Sequence, residues 1–266
     1  MPIRNVAAAA AIIVVAASTA AASAAWRRPV HAPPLRVVRS ARSDTGYRVV
    51  PLSAVGRIAG AVEFAGPAPS DSVTHPAVDG DVCGASLVDV SIVHAGPRLA
   101  DAIVWVNGIT AGKHLPVARR FDVIAHGCRF IPRVQAAIVG GTLDVRSADR
   151  VVHHTRLTRA GSGQMVAIIP ETEAGEVVPV HPALAVPGLL ELRCDRHPWM
   201  HGWVAVFADP YYAVTDPMGA FVVDSVPPGR YAVTAWHERF GTRTDSVTVS
   251  AGQIATVTLR YPAAAP

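Results

Sequence analysis

The sequence predicts an all-β chain. The 22 Pro and 21 Gly are distributed through 266 residues and separate short Val- and Ile-rich runs, as turns separate strands. After residue 26 no stretch sustains a helical period, and several of the runs alternate apolar with polar residues. About half the residues are hydrophobic, enough for one large core or two modest ones. Two are expected.

Taken in order, the chain starts with Arg4 and an apolar run from Val6 to Ala25. Small residues at Ala22-Ser23-Ala24 stand where a signal peptidase would cut. Residues 1–25 therefore read as a signal peptide and the protein as periplasmic or secreted. An uncleaved N-terminal anchor stays open, because Arg27, Arg28, Arg36, Arg39 and Arg42 follow the run and positive charge there resists translocation. Residues 26–55 read as a basic Pro/Arg-rich linker. Folded structure is expected from Gly56, where Arg57–Phe64 alternates as a strand does. Ala102–Asn107 reads as a second strand.

Three short strand candidates follow at Phe121–Ala125, Val134–Val139 and Thr142–Arg146. Next comes a polar stretch with Gly161, Gly163 and Glu171–Glu176, and then a strand pair at Leu189–Arg193 and Trp203–Phe207. The C-terminal block alternates strands with Asp/Pro/Gly turns from Tyr212 to Trp236 and finishes at Ser246–Val249 and Ile254–Leu259.

Charge excludes one class of partner. The formal net charge is only +4, and the Arg residues cluster between Trp26 and Arg48 without interleaved aromatics, so nucleic-acid binding is not expected. That basic segment, or an uncleaved anchor, would be the part of the chain to touch a membrane surface or an acidic redox partner. Three cysteines are an odd number: Cys83 and Cys128 are either a disulfide or two small buried thiols, and Cys194 is left with another task. No Gly-x-Ser-x-Gly elbow, phosphate loop or paired metal-bridging carboxylates occur, so nothing demands an enzyme. Trp236-His237-Glu238 sets an imidazole beside a carboxylate, but neighbours on a strand point to opposite faces.

The most informative segment is Cys194-Asp-Arg-His197-Pro-Trp-Met200-His-Gly202. It puts a thiolate, an imidazole and a thioether on one turn between two strands, the soft donor set that copper selects. Arg193 and Arg196 flank Cys194, and positive charge there would favour the thiolate and Cu(I). Trp199 and Trp203 are expected to pack, and His201 and His154 to face solvent.

Two resemblances organise these features. Asp216-x-x-Gly219-x-Phe221 followed by Pro227-Pro228-Gly229-x-Tyr231 resembles the carboxypeptidase regulatory-like, transthyretin-like β-sandwich. Its first strands then correspond to Gly60-Ala-Val62 and Ala102-Ile-Val104, which implies a split domain of residues 56–117 with 209–261. Val145-Arg-Ser-Ala-Asp149, with His153 four residues after the Asp, together with the Cys194 loop, resembles the cupredoxins. That implies a Greek-key copper domain at 118–208, inserted in or adjacent to the first sandwich. The ligands it implies are His153, Cys194, His197 and Met200, with His201 the alternative to Met200. Ser147 and His154 depart from the family's usual Asn residues, and His197 to Met200 is shorter than in plastocyanin-like members. With Cys83-Gly, Cys128–Pro132 and Trp236-His237-Glu238, the whole pattern resembles exported cupredoxin-like proteins grouped with methylamine utilisation. These resemblances imply one copper ion cycling between Cu(I) and Cu(II) and a redox partner protein. The alternatives are a periplasmic copper carrier or storage protein, and a structural or carbohydrate-contacting β-sandwich module.

Overall fold

A computed structural model describes residues 46–263 apart from 68–71, 118, 172–173 and 182. The signal or anchor of 1–25 and most of the linker lie outside the described residues. The described chain is β-structure with one four-residue helix, Gly80–Cys83. No helix among the described residues is long and apolar enough to cross a membrane.

Both ends of the described chain build the first sandwich. In one sheet the long strand Gly56–Phe64 lies between Ile254–Tyr261, paired parallel, and Ala220–Val226, paired antiparallel; Arg98–Leu99 joins near its end at Glu63. The other sheet runs Tyr212–Val214, Ile103–Val106, Gly229–His237, Gly241–Val249. Alternate side chains from the two sheets, including Ile58, Val62, Val104, Phe221, Val233 and Leu259, meet in one buried cluster. The turn at Asp216 shows why its residues matter. The Asp216 carboxylate accepts the backbone N–H groups of Met218 and Ala220, and Gly219 sits at φ 70° with Leu99 N only 2.8 Å from where a Cβ would be.

Residues 120–207 build the second sandwich, in which the chain repeatedly changes sheets. Arg120–Ala125 pairs parallel with Thr142–Ser147, and Phe130–Ile131 and Val177–Val180 complete that sheet. The facing sheet runs Val134–Ile138, His201–Phe207, Gly188–Cys194, His153–Arg159, Met165–Glu171. Val134–Ile138 is parallel to His201–Phe207, so each sheet carries one parallel pair whose connection passes through the other sheet, a Greek-key arrangement. The two sandwiches meet at a cluster in which Ile103, Trp105 and Trp236 pack on Val134, Leu189, Trp203 and Ala205.

Two expectations are corrected. The linker does not extend to residue 55: Arg48–Val49 pairs with Ala111–Gly112, and the Tyr47 hydroxyl donates to Lys113 O at 2.5 Å. Local polarity hid this contact, which is made by backbone and one aromatic ring. The polar stretch after Gly161 contains the strand Met165–Glu171, an edge strand whose Met165 and Ile168 are exposed. Only Ile169 of this strand is fully buried, with Val166 and Ala167 half-buried beside it, so the apolar signal is short and the flanking Gly and Glu dominated the reading.

Candidate metal centre

Strand register brings the expected residues to one end of the second sandwich. His153 opens its strand and Cys194 closes the neighbouring one, with Thr155 opposite Cys194. The alternation of His153–Arg159 buries His153, Thr155 and Leu157 and exposes His154 and Arg156. Residues 194–200 then form the hairpin loop, closed by Met200 N–H to His197 O at 2.9 Å and Cys194 N–H to Met200 O at 3.3 Å. Gly202 follows because the backbone of Arg133 passes close: a Cβ there would stand 2.9 Å from its carbonyl.

Three donor atoms converge. His153 Nδ1 lies 3.0 Å from His197 Nδ1, and Cys194 Sγ lies 3.5 Å from His197 Nδ1 and 3.9 Å from His153 Nδ1. All three residues are buried. Each imidazole turns its other nitrogen to a carboxylate: His153 Nε2 is 3.0 Å from Asp149 and His197 Nε2 is 3.0 Å from Asp79. An ionised carboxylate fixes the proton on Nε2, which leaves two Nδ1 lone pairs facing each other beside a sulfur. Such a cluster suits a cation, and its N, N and S donors fit copper or another soft-to-borderline metal. Met200 is 2% exposed, packs in the same core cluster as Cys194, and lines a cleft of about 200 Å³ with Arg129, Arg133, Pro198, Trp199 and His201. His201 does not face solvent as expected. Its Nδ1 meets Trp199 O at 3.1 Å and its Nε2 lies 3.3 Å from Glu238, so both nitrogens have partners away from the cluster.

The supporting charges are compensated. Burial would raise the Asp149 carboxyl, but the N–H groups of Cys128 and Gly127, with His153, outweigh it and hold Asp149 below the usual range. Hydrogen bonds from Arg196 and then His197 bring Asp79 to about 2. Burial pulls His153 below an ordinary imidazole, against the pull of Asp149. The two arginines beside Cys194 do not act as free positive charge, because Arg193 pairs with Glu191 and Arg196 chelates Asp79. Both tryptophans pack: Trp199 lies 5.1 Å from the His197 ring, and Trp203 lies 5.2 Å from Trp236.

Sequence reasoning missed the parts that three residues play. Asp79 comes from the segment 72–91, which leaves the first sandwich after Phe64 and crosses the loop of residues 194–200. Cys83, four residues later, is joined to Cys128 by a disulfide that fixes this segment in place. Asp149 was visible only as part of a motif. Glu238 was read as an improbable half of a dyad, yet it accepts from Trp203 Nε1 at 2.9 Å, pairs with Arg133 and approaches His201, while His237 is buried apart from it.

Residues 204–261 match the carboxypeptidase regulatory-like domain family. The match begins within the strand His201–Phe207 and covers the first sandwich's strands from Tyr212 to Tyr261; Gly56–Phe64, Ile103–Val106 and the short strands His94–Ala95 and Arg98–Leu99 complete its two main sheets. No curated protein sequence matches the chain. Among solved structures, the chain is similar to a copper-containing nitrite reductase from Thermus scotoductus SA-01, at 21% identity over 38% of this chain and with a TM-score of 0.30. The chain spans 25% of that reductase's length. It is also similar to a purple cupredoxin from Nitrosopumilus maritimus, at 18% identity over 33% of this chain and 99% of the other, with a TM-score of 0.28. An amicyanin variant in its reduced state aligns at 14% identity over 39% of this chain and 98% of the other, with a TM-score of 0.29.

Proposed function

We propose that this chain is an exported mononuclear copper protein that carries single electrons between partners. The observation that carries the reading is the convergence of His153 Nδ1, His197 Nδ1 and Cys194 Sγ at one buried point, each imidazole backed by its own carboxylate. His153, Cys194 and His197 would hold the ion, with Met200 as the weak axial donor because the nitrogens of His201 are engaged elsewhere. Bound copper supplies one-electron exchange between Cu(I) and Cu(II).

The protein's own residues keep that exchange simple. Asp149 and Asp79 fix the ring orientations, which limits rearrangement between oxidation states. Trp199 packs on the His197 ring, and the segment 72–91 places Asp79 at its Nε2; both keep water from the donors. The redox partner would approach through the cleft that Met200 lines.

Copper content, absorption and paramagnetic resonance of the full chain test the reading. One copper per chain with an intense thiolate-to-Cu(II) band is expected, and Cys194→Ala should abolish the band. Unchanged copper content in that variant would overturn the ligand assignment. Tight binding of Cu(I) with no stable Cu(II) form would favour the copper carrier.

A further inference from the structure

The Cys83–Cys128 bridge stands against the same imidazoles as the metal cluster. Donor atoms of Cys83, Cys128 and His197 lie within 4.8 Å of one another, and so do those of Cys128, Asp149 and His153. The bridge is 5% exposed at Cys83 and fully buried at Cys128. A structural disulfide can sit anywhere that its two segments touch, but this one has an imidazole as its immediate neighbour. As a disulfide the pair donates poorly to metals; as two thiolates it is the soft donor set that selects Cu(I).

We infer that reduction of the Cys83–Cys128 disulfide creates a second copper site, a dithiolate for Cu(I) bordered by His197. The step balances with an external dithiol as reductant. Its thiolate attacks Cys83 Sγ, the more exposed sulfur, and the Cys83–Cys128 bond breaks. The resulting mixed disulfide is resolved by the second thiol, leaving an oxidised dithiol and two cysteine thiols. Cu(I) then displaces the two thiol protons, and no change in copper oxidation state is needed.

The geometry allows this without unfolding. Cys83 closes the four-residue helix Gly80–Cys83, held by Gly84 N–H to Gly80 O at 3.0 Å, and Cys128 sits in the turn fixed by Asp149. Arg196 and His197 on Asp79 keep the helix seated when the covalent link is cut. The two sulfurs therefore stay side by side. The segment 72–91 is also the side from which a reductant reaches the bridge. Its strands Val73–Thr74 and Leu87–Val88 have two residues each, and Val73 and Val88 are exposed.

This inference extends the copper reading to a second equivalent, and the experiment separates the two. The full chain, free of metal and oxygen, is prepared with the bridge intact (one titratable thiol) and after phosphine reduction and desalting (three thiols). Cu(I) is titrated against bicinchoninate. The expected result is one tightly held Cu(I) per chain with the bridge intact and two after reduction. The double variant Cys83→Ser/Cys128→Ser should hold one in both conditions. Cys194→Ala should hold none intact and one after reduction, so failure of the first centre leaves the second still readable. A reduced chain with three thiols that binds a single Cu(I) overturns the inference. So does a second equivalent that persists in the double variant, or loss of the near-ultraviolet circular dichroism on reduction.

Discussion

The first sandwich fills its centre with hydrocarbon, whereas the second gives part of its centre to sulfur, imidazole and carboxylate. Ile58, Val62, Val104, Val233 and Leu259 interlock in the one; in the other His153, His197, Asp149, Cys194 and Met200 lie buried among Val123, Leu143 and Leu192. Buried apolar area stabilises roughly in proportion to its size, while buried polar groups contribute only when partnered. The comparison teaches a division of labour. Both sandwiches bury an apolar cluster of their own, but the buried donor atoms gather in the second, and the joint between them is itself polar at Glu238.

The largest effect is expected at that joint. Glu238→Ala removes the carboxylate shared by Arg133 and Trp203 and leaves a buried guanidinium with Asp101 as its remaining charge partner. Breaking a buried pair this way costs about 3–5 kcal/mol, measurable by urea denaturation. A loss below about 1 kcal/mol would mean that the joint adds little to either sandwich.

Next comes a deletion in the first sandwich. Ile58→Ala should cost about 2–5 kcal/mol, the range for truncating a fully buried aliphatic side chain, yet leave the absorption spectrum of the copper-loaded protein unchanged. A shifted spectrum would break the division of labour.

Asp79→Ala should do the reverse. With His197 as a ligand, as proposed, removing the carboxylate behind its imidazole is expected to weaken metal binding by about 10–100-fold, read by competitive titration, with a smaller change in folding stability.

The finest test is acid. Burial brings His237 to about 3, so the folded chain keeps it neutral while the unfolded chain binds a proton below about 6.5. The stability it contributes is complete above pH 6.5 and falls as pH drops toward 3, with a slope of at most about 1.4 kcal/mol per pH unit. His237→Gln should flatten the dependence of unfolding free energy on pH across that window by about one proton.

The two sandwiches also differed in how well the sequence could be read. Long strands with period-two burial, such as Gly56–Phe64 and His153–Arg159, were legible because alternation follows from the pleat. His153 and Cys194 were legible as donor candidates because they stand at the ends of such strands, and His197 because it follows Cys194 by three residues in the loop between strands. Asp79 was not, since nothing local distinguishes a carboxylate that meets its histidine 118 residues later from one in an ordinary turn. The two-residue strands and the edge strand Met165–Glu171 failed for a related reason: tertiary contact, not local periodicity, holds them. Glu238 was hidden by the opposite-faces argument, which ignores that the strand Gly229–His237 ends one residue earlier.

The order of the three cysteines along the chain has a consequence for biosynthesis. A polypeptide emerges from the ribosome N-terminus first, so Cys83 and Cys128 both become available before Cys194 does. In an oxidising compartment their bridge can close while the only competing thiol is still unmade or untranslocated. Correct pairing is thereby favoured by timing alone, and Cys194 reaches a neighbourhood whose other sulfurs are already spoken for.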